Sequence, residues 1–361
     1  MGKLIDRYLA KHLLFAFFLL LTAFVCIYLI FDFFEKIDNF SEAHVKGTLI
    51  LTYFLCALPG IISQMLPAAF FLAGLISLSI LKKHNELIAL QASGLSPYRL
   101  GLPYLVLGIL ISVGLFSFNE FIVPKTQAIS SEIWNVKVEK KETRGGYIQE
   151  RIWLRGKNSI YQIDMVDLKH NVLRGVTIYF FSPDFRLERR IDAQKAVWDE
   201  KRSTWIFYQG VEETVGSQGK IKTTYFHQKV LHFKETPKDF CFLQMNYQEL
   251  NIWKLKRYVD QLKRQGYDAT PYQVDLWQRT AMPLTPFILI LLGLGLIFKE
   301  KEVKITHTIA LGIFIAFLFW VIQALFLALG KGGHLHPALA AWIPNVLFGL
   351  WGMLLLKYSG E

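Results

Sequence analysis

Leu13 to Phe34 reads LLFAFFLLLTAFVCIYLIFDFF, an apolar run broken by one ionisable side chain, Asp32. It meets the roughly 20 residues that a helix needs to cross hydrocarbon, and a helix apolar all round has no side to offer water. Working outward, Thr48 to Leu81, Leu100 to Phe118, Leu284 to Phe298, Ile309 to Leu329 and Ala338 to Leu356 repeat the pattern. Ala281-Met282-Pro283 extend the fourth run backward. Six spans result. The 53% hydrophobic content and mean hydropathy of +0.31 would leave soluble and membrane readings in competition; the segment lengths decide between them. A charged stretch from about Lys125 to Arg279 separates spans three and four, so the chain is one membrane domain with one large insert.

Orientation follows from the short loops. Lys3, Arg7 and Lys11 precede span one, and Lys82, Lys83 and Arg99 flank the loop between two and three. Lys299, Lys301 and Lys304 fill the loop between four and five, and Lys357 follows span six. All fall on one side of a six-span topology, which makes both termini cytoplasmic and puts the insert on the far side. The net charge of +11 therefore reports membrane edges and insert surface, and no nucleic-acid partner is expected. Cys26, Cys56 and Cys241 form no disulfide framework. Lys3 and Arg7 lead into a full-length span rather than a cleavable signal.

Along the chain, Asp32 sits among phenylalanines and should face protein, water or a ligand rather than lipid. Glu35, Lys36 and Asp38 read as a solvated helix end. Span two would reach about 50 Å at 1.5 Å per residue, so Pro59-Gly60 and Pro67 mark kinks or a projecting portion, with Gly74 and Ser77 as close-packing positions. Span three continues as helix as far as Val138. From Tyr147 the period becomes two: Ile152/Leu154, Tyr161/Ile163/Met165, Val176/Ile178/Phe180, Val197, Trp205/Phe207, Tyr225 and Val230, between turns such as Lys169-His170-Asn171 and Ser182-Pro183-Asp184. Many short strands at such spacing predict an antiparallel sandwich or jelly roll. Arg186, Arg189 and Arg190 read as a solvated strand face. His170, His227 and His232 lack metal-ligand spacing, so no metal is expected. Asn246 with Glu249 reads as a capping box opening an amphipathic helix whose apolar face is Ile252, Leu255, Tyr258, Val259 and Leu262. The expected organisation is residues 1–124 for spans one to three, 125–245 for the β domain, 246–270 for the amphipathic helix and linker, and 271–361 for spans four to six.

The loop Lys82-Lys83-His84-Asn85-Glu86-Leu87-Ile88-Ala89-Leu90-Gln91-Ala92-Ser93-Gly94 reads as a short helix over 84–94. Asn85 is positioned to cap it, Glu86 favours its N-terminus, Gly94 suits a left-handed closing residue, and Ser96-Pro97 open the next helix. So short and so apolar a helix neither spans a bilayer nor rests in water. It must pack on its own bundle or fill a partner's groove.

No phosphate-binding loop ends in Lys-Ser or Lys-Thr, so the chain cannot supply an ATPase, and no nucleophile-base arrangement is legible. No cofactor is implied. The chain does resemble a known family over essentially its whole length. Asp6-Arg7-Tyr8, Asn85 to Gly94 with its Glu-Leu-x-x-x-Gln-Ala-Ser-Gly form, and Tyr272-Gln273-Val274-Asp275-Leu276-Trp277 before Pro283-Leu284 are similar to the lipopolysaccharide export permeases, the LptF/LptG family. Gln91 resembles the LptG type. The outer end of span one departs from the lysine-rich pattern of enteric members, since Lys36 is followed by Asp38 and Asn39.

The resemblance implies a fold of six transmembrane helices with an extracytoplasmic, periplasmic β-jelly-roll-like insert, in a bacterial inner membrane. It implies a non-catalytic permease subunit of an ABC transporter that extracts lipopolysaccharide and passes it toward a periplasmic bridge. The implied partners are an LptF-type sister permease, a dimeric LptB-type ATPase and an LptC-type anchored protein. Glu86, Leu87, Leu90, Gln91 and Gly94 would couple to the ATPase, with Glu86 facing a basic residue there. Spans one and five would line the lipid cavity, with Phe31, Phe314, Phe317 and Trp320 as apolar wall, Lys36 and Lys46 as rim cations, and Asp32 nearby. Two other readings stay open: the sister LptF-type role, and a membrane scaffold that displays the β domain without transporting anything.

Overall fold

A computed structural model describes residues 2–139, 147–148, 152–155, 159–167, 170–182, 184–200, 202, 204–215, 221–231, 250–265, 268–300 and 304–358. The chain divides into two compact units. The first holds residues 1–131, 249–256 and 270–361; the second holds 132–248 and 257–269.

The first unit is helical. Its elements are α1 (Gly2–Glu42), α2 (Gly47–Lys83), α3 (Glu86–Ala92), α4 (Pro97–Phe121) and the start of α5 (Val123–Ile133). After the insert come α7 (Thr270–Ala281), α8 (Thr285–Lys299), α9 (Ile305–Lys331) and α10 (Pro337–Tyr358). Among the described residues, six helices are long and apolar enough to cross a membrane, with α7 and α8 together making the fourth. α2 stays one helix through Pro59 and Pro67, and Pro67 is buried. The fourth span breaks instead, in a 3-10 turn at Met282–Leu284 that contains Pro283. A break at membrane depth leaves backbone carbonyls without helical partners, and they must be satisfied from a neighbour. Asn345 of α10 does this, its side-chain amide donating to the Ala281 carbonyl at 2.7 Å. Pro344-Asn345 thus serves the break in another span.

α8 is the axis of the bundle. Ile288, Leu289, Ile290, Leu292 and Leu294 are all buried, in one core with Phe70, Phe71 and Leu75 of α2 and Leu100 and Tyr104 of α4. Small residues let the backbones approach. A Cβ on Gly352 would lie 2.8 Å from the Leu292 nitrogen, and one on Gly74 would meet the Ile290 side chain at 2.0 Å. Ser77 and Tyr104 share a buried 2.9 Å hydrogen bond between α2 and α4.

The second unit is built on an antiparallel sheet with β1 (Tyr147–Ile148), β2 (Ile152–Arg155), β3 (Ser159–Asp167), β4 (Val172–Phe181), β5 (Leu187–Asp199), β6 (Thr204–Val215) and β7 (Ile221–Leu231). β3 to β7 pair in sequence order as a meander, and β1 and β2 both pair with β3. One row crosses it: Asp164, Gly175, Gln194, Gln209 and His227 face each other in register but form no ladder pairs. Gly175 and Gln209 have positive φ, of 60° and 49°. The row resets the side-chain phase in each strand. Ile163 and Val166 are both inward, as are Leu173 and Val176, and Ala193 and Ala196. An uninterrupted period of two therefore fails beyond the row: Met165 and Val197 are only half-buried, while Tyr225 is 80% exposed and its neighbour Phe226 packs on the core. Arg189 and Arg190 form the charged face expected, pairing with Glu212 at 3.5 Å and Asp192 at 2.9 Å.

α6 (Ile252–Gln265) straddles the two units, Ile252 to Lys256 grouping with the helices and Arg257 onward with the sheet. Leu255, Tyr258, Val259 and Leu262 are buried, as the amphipathic pattern predicts. Its cap is Asn251, whose Oδ1 accepts from the Lys254 backbone N–H at 2.9 Å. The expected cap, Asn246, lies outside the described residues. Glu120, at the end of α4, accepts the Ile252 N–H with both oxygens, at 3.1 and 2.9 Å, placing a carboxylate against the helix N-terminus.

Candidate docking helix and lipid-facing helices

α3 is closed by backbone geometry at both ends. Gly94, at φ 92°, donates to the Gln91 carbonyl and Leu95 donates to Leu90, a Schellman closure that requires a left-handed residue at Gly94. Asn85 does not cap. It takes a left-handed conformation itself, at φ 60° with no side-chain cap, and turns the chain from α2 into α3. Asparagine tolerates that conformation as well as it caps, so the residue was well chosen and its role was not the expected one. Ser96 does cap α4, accepting from the Arg99 N–H.

This short helix divides into two faces. Leu87 is 1% exposed and, with partly buried Leu90 and Leu95, joins the bundle core. Leu87 therefore anchors the helix in the core of its own chain. Gln91 is half-buried beside it, while Glu86, Ile88, Ala89, Ala92, Ser93 and Gly94 are exposed. Glu86 already has a neighbour in its own chain, because the Tyr8 hydroxyl donates to Glu86 Oε2 at 2.7 Å. Two residues before Tyr8, Asp6 is gripped by both guanidinium nitrogens of Arg99, at 2.6 and 2.7 Å. Lys82 donates to the last carbonyls of α8, Ile297 at 2.7 Å and Glu300, satisfying groups that a helix end leaves open. None of these partners was legible from spacing, since they lie far apart in sequence. Only Asp6-Arg7-Tyr8 stood out, and only as a shared motif.

The second set of residues lies on α1 and α9, the two spans least covered by the rest of the bundle. Both pack on α2, but on different flanks. Phe17 of α1 meets Phe70 edge-on at 5.5 Å between ring centres, whereas Gly312 of α9 fits against Leu72 and Leu75. Phe31 is 72% exposed, Phe314 60% and Phe317 64%, and Trp320 is half-buried. Leu29, Ile30, Phe33, Phe34 and Phe54 line an open apolar groove of about 290 Å³ where the C-terminal half of α1 meets α2. Asp32 is buried within that half and pairs with Lys36 at 2.5 Å, one turn along. The ammonium also sits 5.3 Å from the centre of the Tyr53 ring. Lys36 is thus a partnered cation rather than part of a solvated helix end, while Lys46 is exposed.

Six spans, an antiparallel insert after the third and a short helix between the second and third set the frame for comparison. A family model, "Lipopolysaccharide export system permease LptF/LptG", matches residues 7–358. The chain belongs to the LptF/LptG permease family. Among its relatives, the lipopolysaccharide export system permease protein LptG of Escherichia coli K12 is 24% identical, over 98% of this chain and 97% of its own length. The LptG of Haemophilus influenzae is also 24% identical, over 98% of both chains. An uncharacterised protein of Aquifex aeolicus is 24% identical over 97% of this chain and 96% of its own length. The match includes α3 and both exposed spans, so the features above belong to a lipopolysaccharide export permease as a whole and not to an appended module. Within its helical unit, the chain presents two exposed apolar spans and one short, partly exposed helix between the second and third spans.

Proposed function

We propose that this permease is the LptG-type transmembrane subunit of an ATP-driven exporter that takes lipopolysaccharide from the inner membrane and hands it toward a periplasmic bridge. In this reading both termini are cytoplasmic, the sheet unit is periplasmic, and ATP is hydrolysed by a separate LptB-type dimer. An LptF-type permease completes the membrane pair, and an LptC-type protein receives the lipid. The observation that carries it is the two-faced α3: Leu87 roots the helix in the bundle while Ile88, Ala89, Ala92 and Ser93 stay uncovered on the side that the basic loops place in the cytoplasm. A rigid helix seated this way can receive a push from a partner and pass it into the core.

The lipid side follows from α1 and α9. Acyl chains need an apolar wall, which Phe31, Phe314, Phe317 and Trp320 provide, and phosphorylated sugars need cations at its rim. Lys36 enters such a contact by exchanging the Asp32 carboxylate for a phosphate oxygen, and Lys46 is open to one without exchange. The LptG names of the relatives, together with Gln91, favour the G-type over the F-type role.

Co-expression with an LptB-type ATPase and an LptF-type permease tests this. The chain should co-purify with both, and photo-crosslinkers at Lys36 and Phe317 should capture lipopolysaccharide only with ATP. A scaffold would yield no adduct. Normal coupling in a Glu86→Lys variant would sink the assignment of α3.

A further inference from the structure

α1 is gripped at both ends and lies along α2 between them with one side uncovered. At its start, Leu9, Leu13 and Phe17 are buried in the core that also contains Leu87 and Leu100. At its far end Phe40, fully buried, meets Tyr53 edge-on at 5.3 Å. Between these points Val25 and Asp32 stay buried while the other side turns outward, with Phe18 61%, Ile27 52% and Ile30 56% exposed. A helix of this kind moves as a rod, and what moves it is whatever grips its ends. At the first end the grip is polar as well as apolar. Tyr8 donates to Glu86 in the first turn of α3, and Asp6 holds Arg99 in the first turn of α4. The two links straddle the Ser93-to-Ser96 turn that joins α3 to α4, so three helix ends are tied at one junction.

We propose that Tyr8 and Asp6 are positioning residues that couple α1 to the docking helix, so that displacement of α3 is delivered to the lipid-facing rod through Glu86 and Arg99. The inference rests on the function proposed above, and adds where the transmission runs. The apolar contact of Leu87, Leu90 and Leu95 with the core sets no direction for α1, whereas the Tyr8–Glu86 hydrogen bond ties α1 to α3 and the bidentate Asp6–Arg99 pair ties it to the start of α4, both with fixed geometry. Glu86 then has two duties, one toward its own α1 and one toward the partner, which explains why a carboxylate meant for a partner is already engaged in the free chain.

The test uses the complex of this chain with its ATPase and second permease in lipid vesicles, comparing wild type with the Tyr8→Phe/Asp6→Asn double variant. Assembly and ATP hydrolysis should stay within about twofold, while lipid released per ATP falls about tenfold, the scale of an ordinary coupling between sites. The charge-swapped pair Asp6→Arg/Arg99→Asp, with Tyr8 intact, should recover most of the yield per ATP. Hydrolysis and transport falling in the same proportion would mean a merely structural role and overturn the proposal, as would a double variant that transports normally. A second readout needs no partner. With Cys26, Cys56 and Cys241 replaced by serine, spin labels at positions 11 and 92 of the isolated chain should give a narrow distance distribution that broadens in the double variant. An unchanged distribution overturns the link. If wild-type chain recruits no ATPase, the functional reading fails, and the label distances alone decide whether the junction is rigid.

Discussion

Phe70 in the helical unit and Phe207 in the sheet unit are both fully buried, yet they are hidden from different solvents. Phe207 is withheld from water. Removing its ring forfeits the transfer free energy of the side chain and leaves a cavity as well. Phe70 is withheld from lipid, which is as apolar as the core it sits in, so only packing is lost. The same residue type at the same burial therefore contributes unequally. The bundle compensates by fitting surfaces closely, with Gly352 against the α8 backbone and Gly74 under Ile290. The sheet relies on burying Trp205, Phe207 and Ile178 from water along one face.

Phe207→Ala should show the largest effect, a loss of about 3 to 5 kcal/mol, seen as a lowered midpoint of the Trp205 fluorescence transition in denaturant titration of the full chain. Phe70→Ala should cost about 2 kcal/mol, the cavity contribution without the transfer contribution, measured by thermal unfolding in detergent. A cost equal to that of Phe207→Ala would break the comparison. Asn345→Leu should cost about 1 kcal/mol by stranding the Ala281 carbonyl, and an Asn345→Gln variant that restores nothing would show that side-chain reach matters there. Phe317→Ala should change stability by no more than about 0.5 kcal/mol, because its ring lies outside the core, while lowering lipid capture by a crosslinker at Trp320. That last variant sharpens the contrast from the functional side: apolar residues that do not hold the fold together are free to meet substrate.

The same contrast explains what was legible. The six spans could be found because their signal is local: a run of apolar residues of fixed length needs no knowledge of neighbours. The α6 face was legible for the same reason, from its 3.6-residue period. Within the sheet, period two located the strands but missed the phase reset at Asp164, Gly175, Gln194, Gln209 and His227, because nothing local marks a row that exists only when five strands align. Asn85 carried a correct turn signal and was assigned the wrong member of the pair, cap instead of left-handed corner. Lys36 looked like a solvated end because the Tyr53 ring becomes its neighbour only once α1 lies against α2; the Asp32 pairing, one turn back on the same helix, was within reach of the spacing alone and was overlooked.

Composition and segment length by themselves determined that this chain is a six-span membrane protein with a β-rich insert. The Glu86-to-Gly94 motif likewise marked a short helix of its own between spans two and three. Tertiary structure alone decided which apolar helices are core and which are exposed, since the span of α1 has the more apolar stretch and yet the span that contains α8 is the buried one. It also decided the partners of Glu86, Arg99 and Lys82. Hydrophobicity is a property of a segment and survives in the linear sequence; a hydrogen bond between residues 8 and 86 is a property of the packing, and the linear sequence does not carry it.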